Sequence, residues 1–174
     1  FDPETDVTIE WKSEHSECVA ALAADATGIA MLPQPFVTTA QTQNENLRVA
    51  LDMTQEWEKL ASASGSDATL NTGVVVGRKD FVEQNPDLVD TFLSQYEQSV
   101  AYTQEDVEGA AKLIGEYDIV PEAVAQKALP ACNITFIAGD EMQAKLSAYL
   151  QTLLEQNPQS IGGELPDDGF YYLG

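Results

Sequence analysis

The chain has 174 residues, within the ~100 to 200 of an ordinary domain, which is enough to build a real core. Its 29 Asp and Glu against 8 Lys and Arg give a formal charge of −21, a surface that repels nucleic-acid phosphates and anionic lipid headgroups. Hydrophobic residues make up 44%, which argues against reading that acidity as disorder, and no apolar run approaches the ~20 residues of a membrane span.

The chain opens on Phe1-Asp2-Pro3 with no initiator Met, charged leader or apolar leader, and is therefore expected to be a processed product or an excised piece. After the Asp2-Pro3 turn signal, Val7-Thr8-Ile9-Glu10-Trp11 alternates apolar and polar residues and predicts a strand. A helix is expected next, with Ser13 as N-cap, Glu14 and Glu17 at its positive end, and Cys18, Val19, Leu22 and Ala26 on one face. Gly28 opens a short apolar strand over residues 29–32, which Pro33 stops. Pro35 suits the first turn of a second helix reaching about Gln43, and residues 46–51 read as a third strand.

Residues 53–60 are expected to form a short helix, followed by a flexible Ala/Ser/Gly loop over residues 61–66. Residues 70–77 end in three valines, the pattern of a strand buried on both faces. Beyond it the reading is helical. Asn85-Pro86 starts a helix whose apolar stripe is Leu88, Val89, Phe92, Tyr96 and Val100; Thr103 with Asp106 reads as an acidic capping box. Pro121 starts a short helix, residues 133–137 are extended, and Met142, Leu146, Tyr149, Leu150 and Leu153 mark a last amphipathic helix ended by Asn157-Pro158. The alternation of strands and helices predicts an α/β fold with parallel pairing. A boundary near residues 62–71 divides a partial α/β lobe, residues 1–70, from a return strand with a helical layer, residues 71–174.

The motifs for nucleotide binding, serine hydrolysis and zinc or calcium ligation are absent, and the scattered carboxylates supply no acid/base pair. No metal or other cofactor is expected. Cys18 and Cys132 each stand alone and read as small buried hydrophobes, although pairing is not legible in sequence. His15 stands where the chain leaves a strand; both a binding role and an ordinary surface role fit it.

The tail, Ile161-Gly162-Gly163-Glu164-Leu165-Pro166-Asp167-Asp168-Gly169-Phe170-Tyr171-Tyr172, reads as linked turns pinned by three aromatics. It resembles the end of the solute-binding proteins of ABC importers in the nitrate, sulfonate, taurine and thiamine-precursor group. Further matches run in order along the chain: residues 16–22 and 28–35, Leu51-Asp52 to Glu56-Trp57, residues 70–76, Phe81 to Val89, Ala128-Leu129-Pro130, and residues 133–137. There are departures. Asp25 stands at the family's usual glycine, Gly28 at its usual aspartate, and Gln34 where Glu is common, so a ligand preference inferred from an acidic member does not transfer.

The resemblance implies a fragment of a type II periplasmic-binding-protein-like α/β fold: part of the second lobe plus the C-terminal helical part of the first, without the N-terminal half. It implies a non-enzymatic, extracytoplasmic component, periplasmic or anchored as a lipoprotein. Its partners would be a membrane permease and an ATPase, to which it delivers a small solute held by hinge closure. Ser13, His15, Gln34, Trp57, Asn71 and Thr72 are the expected ligand contacts, with Ser13 and the following amides placed to hold an anion and Trp57 to stack on a planar ring or pack in the core. Two other functions share this kind of fold: a pyrimidine-precursor-synthesising enzyme, which needs a cysteine-rich segment, and the effector domain of a transcription regulator.

Overall fold

A computed structural model describes every residue except Phe1, Pro3, Ala26 and Asp67. The Asp2-Pro3 turn signal and the place of Ala26 on the first helix therefore lie outside the described residues.

Among the described residues all regular structure is helical. The α-helices are α1 (His15–Ala24), α2 (Phe36–Gln43), α3 (Met53–Ser64), α4 (Lys79–Gln84), α5 (Pro86–Glu105), α6 (Val107–Glu116), α7 (Glu122–Ala128) and α8 (Gly139–Gln156). Short 3-10 turns follow α7 and α8 and close the tail. This overturns the expected α/β, periplasmic-binding-protein-like fold, since the described residues contain no strand and no sheet. The physical reason is visible in the predicted strands themselves. Residues 7–11, 29–32, 46–51, 70–77 and 133–137 all avoid the helix, as their composition predicts, but no ladder joins any of them. Local propensity keeps a segment out of a helix; a strand also needs a neighbour whose N–H and C=O groups pair with it. Without one, the apolar side chains stay in water: Trp11 is 87% exposed, Ile29 94%, Met31 81% and Val76 78%. The valine run expected to be buried on both faces is exposed throughout.

The helices follow their local signals more closely. Asp52 caps α3 by accepting from the amides of Thr54 (3.0 Å) and Gln55 (3.3 Å), and Gly65 ends it in the left-handed region at φ 69°. Between those signals α3 runs through residues 61–64, expected to be loop, because Ala and Ser offer no barrier to a helix already started. α5 likewise passes through Thr103 to Glu105; Asp106, expected to complete a capping box with Thr103, instead caps α6 by accepting from the Gly109 amide at 2.9 Å.

The chain divides into two units, each discontinuous in sequence: Phe1–Arg48 with Tyr102–Ile134, and Val49–Ala101 with Thr135–Gly174. In the first, α1 packs on α2, α2 on α7, and α7 on α6. Its core is Ala110, Ala111, Ala125 and Leu129, wrapped by Val107, Ile114, Val120 and Ile134. In the second, side chains reach between elements: Trp57 of α3 meets Tyr149 of α8, and Tyr96 of α5 meets Phe136 edge-on.

Candidate functional site

The six expected contacts fall into two groups, one in each unit, and each is described within its own unit. In the first unit they gather at the starts of α1 and α2. Glu14, not Ser13, is the N-cap of α1, with extended backbone at φ −121° and ψ 142°. The Glu17 carboxylate turns back to accept from the amides of Ser13 (3.1 Å) and Glu14 (3.2 Å). The amides expected to receive an anion are thus already bonded to a negative group. His15, the first residue of α1, is exposed, and its ring stacks on Phe36, the first residue of α2, with centroids 4.9 Å apart and planes at 29°.

Gln34 is half-buried and committed on one side. Its Oε1 accepts from the Thr38 hydroxyl (2.8 Å) and the Thr38 amide (3.2 Å), satisfying one of the free N–H groups in the first turn of α2. Thr38 is the buried polar residue of this region, and the bond is what makes that burial tolerable. The site therefore pairs an aromatic stack with a capping amide and carries two carboxylates, Glu14 and Glu17. Lys12 is drawn to Glu10, whose hydrogen bond raises the ammonium above its ordinary pKa.

Asp25, the departure at the family's usual glycine, needs no left-handed backbone: it is extended at φ −119°, and its carboxylate accepts from the Thr27 amide and hydroxyl, each at 2.8 Å. Those bonds hold its carboxyl below the usual range.

In the second unit, the Trp57 indole N–H donates to the Ala68 carbonyl at 3.0 Å, and its ring lies 5.4 Å from that of Tyr149 at 53°. The side chain thus fastens α3 to the following segment and to α8. Asn71 folds onto its own turn, donating to the Thr69 carbonyl at 3.2 Å and accepting from the Thr69 hydroxyl at 3.4 Å, while Thr72 is exposed. An open depression on α3 is lined by Gln55, Glu58, Lys59 and Ser62, which share one face at helical spacing, and it encloses nothing.

Phe36 is not among the contacts expected from the sequence, because its place against His15 depends on how α1 packs on α2. Tyr149 appeared only as part of a core stripe.

Cys18 and Cys132 are free thiols. Burial pushes the Cys132 thiol above its ordinary pKa, and it donates to the Ala128 carbonyl at 3.2 Å, the setting of an inert cysteine. Among the described residues no three His, Cys, Asp or Glu side chains are grouped to hold a metal, and no helix is long and apolar enough to cross a membrane.

Arg78 binds Asp80 through Nε at 3.1 Å and Nη2 at 2.5 Å, holding the Asp80 carboxyl below the usual aspartate range. This pair's contribution is fully present above the unfolded aspartate pKa and is lost as pH falls through the lowered folded value. Arg78→Gln is expected to return the Asp80 titration, followed by carboxyl NMR, to the ordinary aspartate range; an unmoved curve would show that the guanidinium does not control it.

Comparison of the chain with protein-family models, with curated proteins and with solved structures returns no match.

Proposed function

We propose that this chain belongs to the solute-binding component of an ABC importer, acting outside the cytoplasm. It would capture a small solute of the sulfonate, nitrate or thiamine-precursor type and deliver it to a membrane permease coupled to an ATPase. What carries the reading is the resemblance that segments taken in order along the chain, from residue 16 to the Gly162–Tyr172 tail, bear to that group of binding proteins. The reading is supported by the group around His15, Phe36 and Gln34 in one unit and by the seating of the tail aromatics in the other. In this role the protein breaks no bond; it needs shape, hydrogen-bonding groups and a conformation the permease reads.

The test is a thermal-shift and calorimetric panel on the protein at its full natural length, with taurine, nitrate and an aminopyrimidine as probes. At least one is expected to raise the melting temperature, and His15→Ala and Gln34→Ala, both in the first unit, are expected to weaken its binding by about fivefold to tenfold each, the loss of a ring contact or hydrogen bond. Stabilisation by none of the three rejects the reading. Binding that ignores both substitutions removes these residues from the site.

A further inference from the structure

The tail beyond α8 is fastened to the second unit by side-chain contacts rather than by a long helix of its own. Gly162 and Gly163, at φ 85° and 97°, turn the chain after α8. Beyond them Tyr171 Oη accepts from Ser147 Oγ of α8 at 3.0 Å, and Tyr172 Oη donates to Asp90 Oδ1 of α5 at 2.9 Å. The backbones of α5 and α8 do not approach each other closely, and the tail bonds to both. Little apolar burial helps it: Phe170 is 57% exposed and Leu173 47%.

The charges along this path have one dominant sign. The tail carries Glu164, Asp167 and Asp168 and no cation. It docks on Asp90, with Asp87 one turn earlier on α5, and the Leu173 carbonyl lies beside Gly139, next to Asp140 and to Glu141, which is paired with Lys145 at 3.7 Å, at the start of α8. Lys79 is another neighbouring cation, near Gly169. Repulsion between like charges therefore opposes docking, and dissolved salt weakens it over a Debye length of ~8 Å at physiological strength.

We propose that residues 164–173 form a salt-sensitive strap, fastened by Tyr171 and Tyr172 and loosened when low ionic strength leaves its carboxylates unscreened from the acidic ends of α5 and α8. Hydrogen exchange read by mass spectrometry tests this on the intact chain, with the amides of α6 and α7 as internal reference for any general effect of salt. Relative to that reference, protection of the strap is expected to rise about threefold or more between about 20 mM and about 0.5 M sodium chloride. Tyr172→Phe should lower protection about fivefold by removing one hydrogen bond. Asp90→Asn, which keeps an acceptor oxygen and removes a charge, should flatten the salt response; Asp87→Asn does the same without touching the hydrogen bond. A flat or falling response in the unmodified chain overturns the proposal, because attraction to Lys79 or apolar contact would then set the docking. Unchanged exchange in Tyr172→Phe overturns the fastening.

Discussion

Replacing Ala111 with leucine is expected to lower the stability of the first unit by about 3 kcal/mol, a large fraction of the ~5–15 kcal/mol that holds a folded domain together. Ala111 is 1% exposed, and its neighbours in the core are Ala110, Ala125 and Leu129. Small residues let α6 and α7 approach closely, and the same approach shows at Gly115, where an added Cβ would sit 3.0 Å from Glu122 Cβ and 3.2 Å from its backbone nitrogen. Extra methylenes at Ala111 must fit into this close packing, and separating the helices to admit them surrenders contacts of Val107, Ile114 and Ile134. Urea unfolding followed by circular dichroism checks this, with Ala111→Gly as a control that removes volume and costs about 1 kcal/mol of helix propensity. A leucine variant as stable as the parent would mean that the alanine seam is not closely packed.

Trp57→Ala is expected to cost the second unit about 2–4 kcal/mol, within the range for truncating a large aromatic and below its upper end because the side chain is only half-buried. Three contacts disappear together: the indole bond to Ala68, the ring contact with Tyr149, and the closure of the segment after Gly65 onto α3. Trp57→Phe keeps a ring for Tyr149 and loses the hydrogen bond, so it should cost about 1 kcal/mol. Fluorescence separates the two tryptophans, because Trp11 is 87% exposed and emits as a solvated indole, whereas Trp57 should supply the blue-shifted part that vanishes in either variant. If Trp57 only awaited a planar solute, neither substitution would move the unfolding midpoint, and both would act on binding alone.

The helical half of this molecule was legible because its signals are local. Asn85-Pro86 marks the start of α5, Pro121 that of α7, and Asn157-Pro158 the end of α8, each at the place expected. The candidate site was legible in part. His15, Gln34 and Trp57 were picked out by residue type and position, but their commitments were not. Glu17 occupying the Ser13 and Glu14 amides, Gln34 capping Thr38 and Trp57 bonding Ala68 depend on side-chain conformation. The tail was read as turns pinned by aromatics; that the pins are Ser147 and Asp90, 24 and 82 residues away in sequence, is beyond any local pattern.

By itself the sequence determined charge, helix limits and the segments that refuse to be helical, all properties of a residue and its near neighbours. Only the tertiary structure decided that those refusing segments remain unpaired. The composition of residues 7–11, 29–32 and 70–77 states a preference for extended backbone, yet a sheet is a relation between segments distant in the chain, and its hydrogen bonds exist only when a second edge stands within reach. The alanine seam between α6 and α7 illustrates the converse: three alanines say little in the sequence, and become a core because the fold brings the two helices together.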